Sequence, residues 1–548
     1  MIIDYFKELI LNNFGHNPTS QQQEVVEALA EFILREADSD ASRSSLPASH
    51  SKADVFILRG YAGTGKTSLV SALVRTMEQL ERRCVLMAPT GRAAKVFSLY
   101  SGHEAFTIHK RIYRQKAIDD DTVFSMGFNA MTNALFIVDE ASMISNDATN
   151  TIYGTGRLLD DLIQFVYSAP GCRLILMGDT AQLPPVGDIH SPALQPEVLA
   201  GYGLNVTCKT LTQVVRQHDL SGILQNATRI REIIEQTPSP LPLNGESYDQ
   251  SEFTTDGDHS PHLQGGARGW VRFANDVTNI PGSELVEEIA NCYHHYGIDD
   301  TIVVCRSNKR AHIYNMGIRN QILDREEELA SGDLIMIVKN NYYWKNPSLP
   351  PSPNGGLRGD NSNLSPFALP PRGEKGEMSE GQRGSSFSFI ANGDIAQILR
   401  VRNERELYGF RFADCELRFP DYDDLELTAT VLLDTLHTEA PALTHEQSEQ
   451  LWNRVLEDYA DIPTKKERMR KMKEDPYLNA LQIKYAYAVT CHKAQGGQWS
   501  QVFIDQGYVT PDMMGTDYYR WLYTAFTRAT DKVYLVNWKM TEGSEEAS

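Results

Sequence analysis

The sequence predicts an α/β fold: two domains built on buried strands, with a small β-barrel inserted into the second. Three observations predict it. Short continuous apolar runs recur through residues 54–177, several of them followed by a loop and a helical stretch, as expected of strands buried on both faces. The same strand-loop-helix arrangement returns at Thr301-Ile302-Val303-Val304-Cys305. Beyond it, β-rich stretches open near Gly332-Asp333 and Asn392-Gly393-Asp394 and recur at 408–412, 415–419 and 425–433.

The chain has 548 residues, too many for one core, and roughly three or four domains are expected. With 41% apolar and 23% charged residues the composition is that of a soluble globular protein. The formal net charge of −20 argues against a nucleic-acid partner unless particular residues outweigh it. Seven scattered Cys without a C-x-x-C pair suggest a reducing compartment and no structural zinc. The N-terminal segment is interrupted by Asp4, Lys7 and Glu8, so it makes a poor signal peptide. No apolar run approaches membrane-spanning length. The expectation is a soluble, cytoplasmic protein with no membrane partner.

In chain order, residues 1–53 hold two short helices and a Ser-rich linker. Thr19 or Ser20 is the N-cap of the second helix. A glutamine just after it either completes that cap or reads an adenine edge, because a primary amide both donates and accepts; Gln22 is the first choice and Gln23 the next. Residues 54–236 form the first α/β domain. Its opening, DVFILRGYAGTGKTSLV, is strand, Gly-rich turn, Gly-Lys-Thr and helix, a phosphate-binding loop in its proper context. Gly60, Ala62, Gly63, Thr64, Gly65, Lys66, Thr67 and Ser68 would surround a phosphate chain at the positive end of a helix. Lys66 would reach the β/γ-phosphates, and the Thr67 hydroxyl would sit on Mg²⁺.

Cys84-Val85-Leu86-Met87-Ala88 is a second strand. Thr90, the Gly91 N–H and Arg92 at its end either hold a phosphate backbone or make an ordinary loop and cap. Thr107 to Lys116 carries His109, Lys110, Arg111, Arg114 and Lys116 around Tyr113, which suits a nucleic-acid strand and equally a solvated helix face. Leu135-Phe136-Ile137-Val138-Asp139-Glu140 is a strand ending in two acids. Asp139 would hold Mg²⁺ and Glu140 would orient or deprotonate a water. After the strand at 173–177, Gln182 either senses a γ-phosphate or is a polar turn residue before Pro184-Pro185. A helical stretch is expected from 211 to about 235, where Arg216 either pairs with a local acid or reaches the phosphates.

Residues 237–268 read as an irregular loop. The second α/β domain is 269–330 with 481–540, and the insert 331–480 holds the barrel, a helical stretch from His437 to Asp475 and a mobile or disordered loop at 347–386. The Lys/Arg run at 465–471 reads as a solvated face. Residues 485–490 read as one strand, followed by Cys491-His492-Lys493-Ala494-Gln495-Gly496-Gly497-Gln498-Trp499. YYRWLYTAFTRA is a helix ending at Arg528, which either complements the helix dipole or acts as an arginine finger from the far domain. Residues 541–548 are an acidic tail.

Taken in order, GYAGTGKT, APTGRAAK, TIHK, FIVDEAS, GDTAQLPPVG, LTQVVRQ, VTCHKAQGGQW and YTAFTRA resemble the motifs of superfamily 1 helicases, class 1B, the RecD/Dda-like branch. The resemblance covers roughly residues 15–235, 300–345 and 480–537. It implies two RecA-like P-loop NTPase domains with an SH3-like barrel insert in the second and a UvrD-type C-terminal helicase domain. It also implies an ATP- and Mg²⁺-dependent motor that moves 5′→3′ on single-stranded DNA and unwinds duplex junctions, as a monomer, beside repair, recombination or replication proteins. By position, Gln22 would read adenine; Arg216 and Arg528 would contact the γ-phosphate, with Gly496 near the nucleotide. Pro89, Thr90, His109, Asn308, Thr490 and His492 would line the DNA path, and the segment 97–133 would carry a strand-separating pin. Gly91-Arg92 and Cys491 depart from the family's usual residues. An ATP-gated remodelling protein that does not unwind, or a motor on RNA, is the alternative.

Overall fold

The structure is a computed structural model that describes residues 2–35, 53–115, 124–147, 154–215, 221–236, 271–344 and 390–538, apart from 272, 342 and 423. The chain divides into two compact units, residues 1–327 with 439–441 and 485–548, and residues 328–438 with 442–484.

The first unit opens with α1 (Ile2–Phe14) and α2 (Ser20–Leu34), followed by β1 (Asp54–Gly60), α3 (Lys66–Gln79), β2 (Cys84–Ala88), α4 (Gly91–Ser101) and β3 (Ala105–Thr107). Next come α5 (Ile108–Ile112), a ribbon of β4 (Tyr113–Gln115) and β5 (Phe124–Met126), then β6 (Leu135–Val138), α6 (Leu158–Tyr167), β7 (Arg173–Gly178), α7 (Pro196–Gly201), β8 (Asn205–Leu211) and α8 (Gly222–Gln236). Six of these strands form one parallel sheet in the order β3-β2-β6-β7-β1-β8. Both faces are buried: Phe56 and Leu58 of β1 join Ile175 and Met177 in one core, while Val55 and Ile57 join Leu174 and Leu176 in the other. That is why these strands read as unbroken apolar runs rather than alternating ones. The N-terminal helices cover the first face, where Phe32 meets Phe56 edge-on at 5.4 Å.

The same unit carries a second parallel sheet. Its strands are β9 (Val277–Ile280), β10 (Thr301–Cys305), β16 (Ala488–Thr490), β17 (Trp499–Asp505) and β18 (Ala529–Val536), in the order β16-β10-β17-β18-β9. Helices α9 (Leu285–Tyr296), α10 (Asn308–Gln321), α13 (Cys491–Ala494) and α14 (Thr516–Phe526) belong to it. Phe503 and Tyr534 stack at 4.4 Å in its core.

The second unit is a closed five-stranded barrel of β11 (Leu334–Ile337), β12 (Ile395–Leu407), β13 (Phe410–Phe419), β14 (Leu425–Leu432) and β15 (Leu481–Tyr485). Both Gly-Asp turns work alike: Asp333 accepts the Ala330 N–H and Asp394 the Ala391 N–H, each tightening entry into a strand. Helices α11 (His445–Asp458) and α12 (Lys465–Lys473) pack Leu451, Val455 and Met472 against Phe410 and Phe412.

Two expectations are corrected. Residues 485–490 are not one strand: β15 ends at Tyr485 and β16 begins at Ala488, so the chain changes sheets there. The helical stretch expected from 211 begins only at Gly222, because Leu211 ends β8, an edge strand. Residues 237–268, 347–386 and 541–548 lie outside the described residues.

Candidate functional site

Neighbouring strands β6, β7 and β1 deliver Asp139, Asp179 and the Gly-rich loop to the same edge of the first sheet, where open α/β sheets bind ligands. The loop turns through Gly63 at φ 77° and Gly65 at φ 82°, conformations that glycine adopts at little cost. A Cβ at Gly60 would stand 2.9 Å from the Lys66 side chain, so the strand end must be glycine for Lys66 to fold over it. The Lys66 ammonium donates to the Gly60 and Tyr61 carbonyls. Lys66, Thr67 and Ser68 open α3, where an α-helix leaves its N–H groups without intrahelical acceptors. This is an anion cradle with one cation.

Gln22 is 1% exposed and has both ends of its amide in use. Its oxygen accepts the Thr19 N–H at 3.0 Å, closing a capping box, and its nitrogen donates to the Thr64 carbonyl at 3.1 Å. The capping role left open by the sequence is therefore present, with a strut to the phosphate loop added. A Cβ at Gly65 would lie 2.7 Å from the Gln22 amide nitrogen.

Asp139 accepts the Glu140 N–H at 2.8 Å. Burial and the neighbouring Glu140 carboxylate push the Asp139 carboxyl up to about 7, against the pull of Lys66. Glu140 sits at φ 50°, in the left-handed region, a strained backbone of the kind held at functional sites. Gln182 is 5% exposed, and its amide oxygen is buried without a hydrogen-bond partner among the described residues. A left-handed glycine cradle, a lysine, a carboxyl raised by burial and a neighbouring carboxylate, and an unsatisfied amide oxygen together fit a nucleoside triphosphate with a divalent cation. Among the described residues no group of three or more His, Cys, Asp or Glu could hold a metal. A cation here would be held by Thr67, Asp139 and phosphate oxygens, a donor set that suits Mg²⁺.

The second sheet contributes α14 and the segment around Gly496. Gly496 has φ +78°, and a Cβ there would meet Ala93 at 3.5 Å. Arg528 is 5% exposed and gives its guanidinium to the Thr524 carbonyl at 3.0 Å, the Gly497 carbonyl at 3.2 Å and the Thr527 hydroxyl at 3.1 Å. It thus caps the end of its own helix in this structure.

Two residues read at the sequence level as surface groups are buried. Arg92 is 7% exposed, with its guanidinium 4.6 Å above the Trp499 ring and close to Gly497. In this structure it joins the two sheets and is buried rather than exposed at the surface. Tyr113 is 5% exposed and its hydroxyl donates to Asp161, so its ring is core and not a stacking platform. The remaining candidates are placed as follows. Thr90 caps α4 through the Ala93 N–H, next to half-buried Pro89. Asn308 opens α10 on the exposed surface, and Thr490 and His492 lie at the start of α13. Arg216 and Lys116 lie outside the described residues. Sequence reasoning missed Tyr523 and Gln495, which reach the first sheet from the second. The signal for Tyr523 was the density of aromatic residues in α14, and Gln495 had none.

His109, in α5, has its imidazole pushed down to about 4 by burial. A histidine held neutral in the fold and free to charge when unfolded costs stability as pH falls from about 6.5 to about 4, by at most about 3 kcal/mol. His109→Asn is expected to flatten the fall of chemical-denaturation stability across that window.

An AAA domain model matches residues 46–235, and a UvrD-like helicase C-terminal domain model matches residues 485–536. Over these segments the chain is similar to helicases of the RecD2 and PIF types. It is 34% identical over 172 residues to the ATP-dependent RecD2 DNA helicase of Deinococcus radiodurans, covering 31% of this chain and 21% of that protein. It is 31% identical over 144 residues to the ATP-dependent DNA helicase PIF6 of Trypanosoma brucei brucei, covering 24% and 17%. The chain thus spans about a fifth of the length of these relatives. An uncharacterized protein of Acanthamoeba polyphaga mimivirus is 22% identical over 516 residues, 87% of this chain and 94% of that one. The crystal structure of Pif1 helicase from Bacteroides in complex with ADP-AlF3 and ssDNA aligns with TM-score 0.41 and 14% identity over 96% of this chain and 94% of that one. No helix among the described residues is long and apolar enough to cross a membrane.

Proposed function

We propose that the chain is an ATP-driven DNA helicase that moves 5′→3′ along single-stranded DNA and opens duplex ahead of it. The observation that carries this reading is that the phosphate loop, Asp139 and Glu140 on one sheet face an α14 from a second parallel sheet, which touches that loop through Tyr523. A nucleotide switch acting alone needs no second sheet at its phosphate site; a motor does, because closure and release of two domains is its stroke.

Bound ATP with Mg²⁺ supplies the phosphoanhydride whose hydrolysis drives the cycle. Lys66 holds the β/γ-phosphates, and Thr67 and Asp139 hold the cation. Glu140 takes the proton of the attacking water. Gln182 senses the γ-phosphate, and Arg216 and Arg528 balance charge on the transferring group, Arg528 after leaving its carbonyl partners. Gln22 turns its amide to adenine, with Gly496 beside the nucleotide. Pro89, Thr90, His109, Asn308, Thr490 and His492 line the path of the single strand, and the β4-β5 ribbon carries the pin. The likeness to RecD2 and PIF6 supports DNA as the track.

The test is unwinding of duplexes carrying a single-stranded tail on either the 5′ or the 3′ side. Opening of the 5′-tailed duplex alone is expected. Opening of the 3′-tailed duplex alone contradicts the polarity. Hydrolysis stimulated by single strands with no opening of either favours the remodelling protein, and preference for an RNA track favours the RNA motor.

A further inference from the structure

Tyr523 projects from α14 of the second sheet and is 2% exposed. Its hydroxyl accepts the Ala62 N–H of the phosphate loop at 3.0 Å and donates to an Asp179 carboxylate oxygen at 2.7 Å. The other Asp179 oxygen accepts the Ala181 N–H at 2.9 Å. Four residues on, Leu183 is held from both sides: its N–H donates to the Thr524 hydroxyl at 3.0 Å and its carbonyl accepts the Gln495 amide at 3.2 Å. Thus the segment 179–183, which contains Gln182, is pinned at three points by the second sheet. On the other side of α14, the Cys491 thiol meets the Trp521 carbonyl at 3.4 Å, next to Thr490 and His492.

We propose that Tyr523 is the positioning residue through which the second sheet senses occupancy of the phosphate loop. The geometry leaves little slack. The hydroxyl uses its single proton on Asp179 and a lone pair on Ala62, so movement of either group toward a bound polyphosphate must break a buried bond or carry α14 with it. α14 in turn carries α13, and with it the candidate strand contacts Thr490 and His492. The coupling rests on the nucleotide part of the function proposed above and needs neither DNA as the track nor any polarity.

The test is amide hydrogen exchange on the full chain, with and without AMP-PNP and Mg²⁺ and with no nucleic acid present. In the native chain the analogue is expected to slow exchange about 10-fold both at residues 60–67 and at residues 516–526, the size of an ordinary coupling between sites. In Tyr523→Phe the protection of 60–67 persists and that of 516–526 falls below about twofold. Thr524→Val, which removes one of the Leu183 bonds, gives an intermediate loss and serves if the first variant does not fold. A purely structural role would instead raise exchange of α14 equally with and without the analogue. Undiminished protection of 516–526 in the variants, or its absence in the native chain, overturns the proposal. Absence of protection at 60–67 in the native chain contradicts nucleotide binding itself, a distinct failure.

Discussion

Glu140→Gln lowers DNA-stimulated ATP hydrolysis by about 10³-fold, within the range expected for removing a general base. The substitution keeps the shape of the side chain and removes its ability to accept the water's proton. Because Glu140 is proposed to act on the water and not on the phosphates, the loss falls on kcat, with nucleotide affinity changed by less than about tenfold. Its backbone at φ 50° is set by the turn that follows β6 and by the bond from its N–H to Asp139, neither of which depends on the carboxylate. Steady-state hydrolysis together with binding of a fluorescent nucleotide analogue measures both quantities. A variant that keeps more than a tenth of the native rate would remove Glu140 from the role of base.

Arg528→Ala is expected to cost at least about 10³-fold in kcat, the lower end for an arginine that balances transition-state charge. Among the described residues its guanidinium bonds to groups of its own sheet, the Thr524 and Gly497 carbonyls and the Thr527 hydroxyl. The variant therefore loses stability as well, by about 1–3 kcal/mol, from buried acceptors left without a donor. Two measurements separate these effects. Thermal unfolding reads the stability loss, and single-strand affinity shows whether the second sheet is still folded. Arg528→Lys is expected not to restore the rate, since an ammonium lacks the planar fork that makes several bonds at once. Full activity in Arg528→Lys would leave Arg528 as a helix cap alone.

The strands that build the phosphate site were legible because they are buried on both faces. Phe56 and Leu58 lie against one layer of helices and Val55 and Ile57 against the other, which leaves no polar position in the run. The edge strands were not legible. β8 reads NVTCKTL, half exposed along most of its length, and β9 is four residues long. An edge strand needs neither an apolar run nor clean alternation, so its sequence resembles that of a loop. The break between β15 and β16 escaped notice because Ala486 and Tyr487 are both buried where the chain crosses between sheets.

The same division runs through the site. Lys66, Asp139 and Glu140 could be named because each stands in the loop or helix start that follows its own buried strand. Arg92 and Tyr523 act across hundreds of residues: the Tyr523 hydroxyl bonds to a backbone amide 461 positions away. Local spacing carries no signal for such a pair. Tyr113 misled for the opposite reason. Its neighbours His109, Lys110 and Arg111 suggested a nucleic-acid surface, whereas Asp161, 48 residues on, draws its hydroxyl into the core.

The most direct test of the account is ATP hydrolysis with and without a single-stranded DNA oligonucleotide, with Lys66→Ala as the companion. The account predicts strong stimulation by the oligonucleotide in the native chain and loss of hydrolysis in the variant. Hydrolysis that proceeds at the same rate with and without DNA or RNA would contradict the motor and leave an ATPase that answers to another partner.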